Sequence, residues 1–337
     1  MIRRKIRRAR LRIDSLLSRI LPHALVLIYH RVNRLDSDPQ RLSVTPENFD
    51  TQMELLSRKF NPVSLRELMD GLSHGRVRDR AVVVTFDDGY EDNYLNARPI
   101  LEKHSLPATI YVASGYSGTN REFWWDELER LLLTKDTLPE EISINLGGDL
   151  YRGPANEQCC ASPHEIYTEL CARFQTLDSG QLDRALTQLR ELTGDDGTAR
   201  ADYRPMNIEQ LRSLYTGGLI EIGAHTRSHA NLAAQSVEQQ SDEIQGSKLD
   251  LEKMLGGNVE SFSYPFGTID HYSKWSVKCV RDAGFHNALS NFTGCVSRIS
   301  NRYEIPRCLV RDWDKETFAG AMDRYYSGQR QVDVHGR

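Results

Sequence analysis

The run Ala81-Val82-Val83-Val84 leads without a break into Thr85-Phe86-Asp87-Asp88-Gly89-Tyr90. A continuous apolar, β-branched run with no polar alternation predicts a strand covered on both faces, as in a parallel sheet. Asp87 and Asp88 then stand at its carboxyl end. Successive strand residues point to opposite faces, so the two carboxylates take different jobs unless the backbone turns at Gly89. One can bind a metal ion while the other handles protons.

A second cluster has the same build. The strand-like Leu219-Ile220-Glu221-Ile222-Gly223-Ala224 runs into His225-Thr226-Arg227-Ser228-His229. Histidines four apart predict one face of a helical turn. Neutral imidazole and carboxylate are good zinc ligands, and one Asp with two His leaves a coordination position for water, as in catalytic sites. Asp-Asp-Gly alone is an ordinary solvated turn, and an isolated His-x3-His pair is usually no ligand pair. Both together, each at the end of an apolar strand, point to a metal site.

These segments resemble the polysaccharide deacetylases, carbohydrate esterase family four. The first motif of that family, Thr-Phe-Asp-Asp-Gly, is matched at Thr85 to Gly89, and the second, His-Ser/Thr-x-x-His, at His225 to His229. The third is matched in part by Ser263-Tyr264-Pro265-Phe266-Gly267, similar to a Tyr-Pro-Phe/Tyr-Gly variant and lacking the arginine other members carry at its start. The resemblance runs from about Leu25 to Val310. It implies an α/β fold, a distorted (β/α) barrel with about seven strands, that hydrolyses N-linked acyl groups of amino sugars. It places Asp88, His225 and His229 as metal ligands, Asp87 as catalytic base and the Phe266 backbone N–H as oxyanion donor. Zinc is the expected ion, although cobalt, nickel and other divalent ions accept the same ligands. A divalent ion lowers the pKa of a coordinated water from 15.7 to roughly 7, so a neighbouring carboxylate can take its proton. Tyr264 and Trp125 are the candidates for contacting the sugar; for Trp125, beside Trp124 at a helix start, packing inside is the more common alternative.

The leaving amine also needs a proton, and here the chain departs from the family pattern. Many members supply it from a late Leu-x-His motif, which is missing after Gly267. The corresponding late strand reads Glu304-Ile305-Pro306-Arg307-Cys308-Leu309-Val310. Arg307 is open to three readings: it orients Asp87 in place of the missing arginine, it binds substrate, or it is a surface residue. Its permanent charge makes it a poor proton donor. His30, after the apolar Leu27-Ile28-Tyr29, is a candidate acid if it faces the same mouth, and Asp87 returning the proton is the alternative. His271 and His286 are weaker candidates.

Outside the motifs, Thr45-Pro46 and the capping pattern Ser64-Leu65-Arg66-Glu67 predict helix starts, and Ala108 to Val112 predicts a strand. Residues 138–205 break the strand–helix rhythm: a hairpin turned at Gly147-Gly148 and two amphipathic helices predict an inserted helical and hairpin subdomain that shapes specificity. The barrel then spans 23–330 around this insertion, and 331–337 form a tail. Six cysteines show no zinc-ribbon spacing and are sparse for a disulfide scaffold. The formal net charge of −4 gives no reason to expect nucleic-acid binding. Residues 1–22 carry Arg3, Arg4, Lys5, Arg7, Arg8, Arg10 and Arg12 beside an interrupted apolar stripe, with no uninterrupted signal-peptide core. This predicts a cytoplasmic protein, either with peripheral contact to an anionic inner leaflet or with a solvated basic tail. The expected function is removal of an N-acetyl group from an amino sugar in a glycan or a lipid- or nucleotide-linked precursor. An N-deformylase or a catalytically silent sugar-binding protein is the alternative.

Overall fold

A computed structural model describes residues 21–135, 137–154 and 162–327. Most of the basic segment, Cys159, Cys160 and the tail 331–337 lie outside them. Among the described residues no helix is long and apolar enough to cross a membrane.

The strands are β1 (His23–Tyr29), β2 (Arg31–Val32), β3 (Ser43–Val44), β4 (Asn61–Pro62), β5 (Ala81–Phe86), β6 (Ala108–Val112), β7 (Glu141–Leu146), β8 (Asp149–Pro154), β9 (Ile220–Ala224), β10 (Ser261–Ser263), β11 (Asn287–Leu289), β12 (Val296–Ser297) and β13 (Cys308–Leu309). The helices are α1 (Pro46–Lys59), α2 (Leu65–Ser73), α3 (Arg98–His104), α4 (Trp124–Leu132), α5 (Pro163–Phe174), α6 (Ser179–Thr193), α7 (Ile208–Gly217), α8 (Val237–Leu255), α9 (Lys274–Asp282) and α10 (Lys315–Tyr326). Local chemistry sets several starts. Ser64 Oγ accepts the Glu67 N–H at 3.0 Å, and Asn207 with Gln210 and Ser236 with Gln239 form reciprocal capping boxes.

Seven parallel strands run in the order β11-β10-β9-β6-β5-β1-β13, and a bridge from Leu289 to Ile305 brings the last strand back toward the first. Two short strands extend the sheet: β4 parallel to β5, and β12 antiparallel to β1. The sheet thus curls into the distorted, roughly seven-stranded barrel that the motifs imply.

Period-two alternation sorts the strand residues between two cores. Leu25, Leu27, Tyr29, Val82, Val84, Phe86, Ile110, Ile222, Ala224, Phe262 and Tyr264 pack outward under the helices. Ala24, Val26, Ala81, Val83, Tyr111 and Leu289 belong to the smaller inner cluster. Continuing the inner parity to the carboxyl ends places His30, Asp87, His225 and Ser263 on the inner side at one end of the barrel.

The inserted segment forms β7 and β8, paired antiparallel around Gly147-Gly148, followed by α5 and α6. Its apolar side does not close on itself. Ile142, Ile144, Leu170, Phe174, Leu186 and Leu189 share a third core with Phe123, Trp124, Trp125 and Leu128 of α4 and its approach.

Inside the barrel, Gly223 faces Tyr111, whose hydroxyl is tied to Ser261 Oγ at 2.7 Å. A Cβ at 223 would fall into the Tyr111 ring, which the Ser261 bond keeps from moving aside. Gly223→Ala is expected to lower the unfolding free energy by about 1–3 kcal/mol, the usual cost of overpacking, as read from urea denaturation.

Candidate active site

The first motif departs from strand geometry at Asp88, which has φ 76°, one residue before Gly89. This left-handed turn brings the Asp88 carboxylate back to the inner side, so both carboxylates face the same group: His225 Nε2 lies 3.8 Å from Asp87 Oδ2 and 3.5 Å from Asp88 Oδ1. Strand alternation therefore does not separate the two carboxylates: the backbone turns, as the exception at Gly89 allowed, and the turn already starts at Asp88. The expected helical turn across the histidines is also absent. His225 to His229 form an irregular loop in which Thr226 has φ 62° and His229 φ 56°. Backbone reversal, rather than helical spacing, brings the second imidazole in.

Asp88 Oδ1 lies 3.4 Å from His229 Nε2, and one ligand atom from each of Asp88, His225 and His229 falls within 4.8 Å of the others. A tetrahedral ion with bonds of about 2.1 Å keeps its ligand atoms about 3.4 Å apart, which these separations match. The donor chemistry fits as well. Asp88 Oδ1 is buried without a hydrogen-bond partner among the described residues. Burial, then the charges of Asp87 and Asp126, push the Asp88 carboxyl well above the carboxylate range. Burial holds both imidazoles below their ordinary value, and therefore neutral. His225 Nδ1 is bonded to the Ser263 carbonyl at 2.8 Å, which leaves Nε2 as the lone-pair atom. A divalent cation would replace the proton that burial favours on Asp88 and would meet the neutral imidazoles without displacing one.

Asp87 is buried, and burial alone would raise its pKa, but Arg307 overrides that and holds the carboxyl far below the usual range. Arg307 is itself buried; it donates to Asp87 Oδ1 at 2.7 Å and Oδ2 at 2.6 Å, to Thr85 Oγ1 at 3.3 Å, to Ser263 Oγ at 2.9 Å and to the Ser290 carbonyl at 2.8 Å. All five donors of the guanidinium are used, which excludes the surface and substrate-binding readings of this residue. Ser263 Oγ also bonds Asp87 Oδ2 at 3.2 Å. Sequence reasoning missed Ser263. It stands one residue before Tyr264, and only its inward strand parity marks it.

Phe266 has φ 59°, and its N–H donates to no acceptor among the described residues. Its ring meets His229 at 4.7 Å and His271 at 5.0 Å. His30 is half-buried; burial, opposed by Asp87, pushes its pKa down to about 3. His286 lies away from the metal-ligand loops, beside Glu260 at 3.8 Å. Two sugar-contact candidates are corrected. Tyr264 points outward into the helix-covered core, stacked on Tyr272 at 4.0 Å with its hydroxyl on the Tyr303 carbonyl at 3.0 Å, because its strand parity is opposite to that of Ser263. Trp125 offers no stacking surface. It is 3% exposed and packs inside between Phe123 at 4.9 Å and His229 at 4.5 Å.

Comparison with known proteins agrees with this arrangement. The profile of the family described as polysaccharide deacetylase matches residues 74–135 and 191–288, which contain all three motifs and leave out most of the insertion. A poly-β-1,6-N-acetyl-D-glucosamine N-deacetylase of Staphylococcus aureus (strain MSSA476) is 32% identical over 108 residues, 28% of this chain and 37% of that protein. This chain therefore spans little more than a third of that relative. YxkH of Bacillus subtilis (strain 168), named for the same family, is 27% identical over 287 residues, 85% of this chain and 70% of the relative. The fold is shared with Streptococcus pyogenes deacetylase PplD in complex with acetate (TM-score 0.59, 18% identity, 89% of this chain and 98% of that one). It is also shared with IcaB from Ammonifex degensii (TM-score 0.58, 18% identity, 92% and 98%). The chain belongs to the polysaccharide deacetylase family.

Removing Arg307 leaves Asp87 buried and unpaired. Arg307→Met is expected to cost about 3–5 kcal/mol at pH 7. In the parent, the depressed pKa of Asp87 contributes stability above its unfolded value of about 3.9, and this is lost as pH falls through the folded value. In the variant the Asp87 pKa rises above its unfolded value, so the penalty eases as pH falls toward about 4, and below about pH 4 the parent loses its own contribution; the stability gap should therefore narrow steadily from pH 7 downward. Urea unfolding of both proteins across pH 3 to 7 measures it.

Proposed function

We propose that this protein is a metal-dependent N-deacetylase of glycan amino sugars. The observation that carries this reading is the convergence of Asp88 Oδ1, His225 Nε2 and His229 Nε2 beside a carboxylate, Asp87, held ionised by Arg307. Asp88, His225 and His229 would hold the ion, with zinc first on the donor set of two imidazoles and one carboxylate. Bound there, the ion supplies Lewis acidity toward the amide carbonyl and acidifies the attacking water.

The chain's own residues divide the remaining work. Asp87, kept ionised and oriented, takes a proton from the water. The Phe266 N–H donates to the oxyanion as the carbonyl becomes tetrahedral, a contribution worth about 3 kcal/mol in other acyl-transfer enzymes. A carboxyl with so low an affinity for protons is a strong acid once protonated, so Asp87 readily gives the proton up toward the leaving amine. His30, its pKa pushed down to about 3 by burial, starts neutral and is a poor source of that proton.

The named activity of the Staphylococcus relative supports a β-1,6-linked N-acetylglucosamine polymer as the first substrate to try. Acetate and formate release would be measured on oligomers of that polymer and on nucleotide-linked and lipid-linked N-acylated amino sugars. The metal-replete parent is expected to release acetate from the polymer. Asp87→Asn should keep its metal and lose roughly 10²- to 10⁴-fold in turnover, the usual span of general acid–base catalysis. His225→Ala and His229→Ala should lose metal and turnover together. Retained turnover in Asp87→Asn would sink the assignment of the base. Metal binding without acyl release from any substrate would favour the sugar-binding reading.

A further inference from the structure

The two histidines are held in different ways. His225 is aligned conventionally, by the bond between its Nδ1 and the Ser263 carbonyl at 2.8 Å. His229 Nδ1 is buried and has no hydrogen-bond partner in another of the described residues. With no polar group to steer it, the His229 ring takes its orientation from its walls. Trp125 meets it at 4.5 Å and 60°, and Phe266 at 4.7 Å and 75°, both edge-to-face.

Trp125 is in turn fixed by a buried chain. Its Nε1–H donates to the Tyr90 hydroxyl at 2.8 Å, and that hydroxyl donates to Asp126 Oδ2 at 2.6 Å. The Arg31 guanidinium lies 4.2 Å over the Tyr90 ring and donates to Asp92 at 2.9 Å. Trp125 and Asp126 are neighbours in the first turn of α4, and α4 is pinned by ion pairs from the far end of the inserted segment. Glu127 accepts from Arg190 Nη2 at 2.9 Å, Glu122 pairs with Arg200 at 3.1 Å, and Arg130 pairs with Asp195.

We infer that the inserted segment, through α4, positions the metal centre: an aromatic clamp of Trp125 and Phe266, braced by Tyr90 and Asp126, orients His229 in place of the missing hydrogen bond. This rests on the metal-ligand reading of Asp88, His225 and His229. A role for the insertion in substrate choice alone would leave metal affinity indifferent to these residues. The clamp ties affinity to them.

The test is zinc titration of the metal-stripped full-length chain against a competing chelator, with circular dichroism and thermal unfolding of the same metal-free samples. Trp125→Ala should weaken zinc binding at least tenfold. Tyr90→Phe, which removes one oxygen and both of its bonds, should weaken it several-fold without changing unfolding of the metal-free protein by more than a few degrees. Asp126→Asn keeps an acceptor for the Tyr90 hydroxyl and should bind within about twofold of the parent, whereas Asp126→Ala should resemble Tyr90→Phe. If Trp125→Ala does not fold, Tyr90→Phe decides alone. Parental zinc affinity in Tyr90→Phe and Trp125→Ala, with His225→Ala unable to bind, would overturn the clamp and leave the metal centre standing. Parental affinity in His225→Ala would overturn the metal-centre reading, and the clamp with it.

Discussion

The pair between Asp87 and Arg307 holds the working end of this barrel together. Two charges removed from water are costly, and only excellent geometry with every remaining donor and lone pair occupied makes such a pair tolerable. Here both carboxylate oxygens are engaged at 2.6–2.7 Å, and the other guanidinium donors reach Thr85, Ser263 and Ser290. These residues come from β5, from β10, from the segment after β11 and from the approach to β13. One ion pair therefore crosses the barrel interior and requires the sheet to curl before it can form. The side chain that orients Asp87 thus also records that the barrel has closed.

Backbone strain concentrates at the same end. Among the described residues, seven other than glycine have positive φ, and Asp88, Thr226, His229 and Phe266 are four of them. Such conformations cost of order 1–3 kcal/mol each for branched or bulky residues and persist where the surroundings over-determine them. Their concentration here has a geometric reason. Strands deliver side chains to alternate faces, and gathering Asp87, Asp88, His225, His229 and the Phe266 backbone at one point requires loops that reverse immediately after the strand ends. Ser263 and Arg307 on one side, with Trp125 and the core of the insertion on the other, supply the rigidity those reversals need.

The parts legible from residue order were those governed by short-range rules. The apolar run of β5, the strand before the histidines, the hairpin at Gly147-Gly148 and the capped helix starts follow from periodicity and turn chemistry, and the structure contains each of them. The ligand types were legible too, because few residue types can bind a divalent ion. Spacing served less well. Four residues between histidines fits a helical turn as readily as a loop, and nothing local told the two apart. Tyr264 was misread for a related reason, and of the two readings of Trp125, stacking on sugar or packing inside, the second is the one the structure shows. An aromatic near a motif suits a sugar platform or a core equally, and the choice falls to strand parity in one case and to the hydrogen bond with Tyr90 in the other.

Local order in the chain was sufficient for buried strands with acidic and imidazole side chains at their ends, because hydrophobic periodicity and donor chemistry act over a few residues; the barrel was implied only by the resemblance of the motifs. The identity of the partner that sets the charge of Asp87 is a different kind of fact. Arg307 lies 220 positions away in sequence, and its competing readings were separated only when curling of the sheet placed it 2.6 Å from the carboxylate. The same holds for Asp126 and Tyr90, which are 36 positions apart and meet where α4 packs against the turn after β5. Contacts of this range depend on the closure of the whole sheet, and no local pattern of residues encodes them.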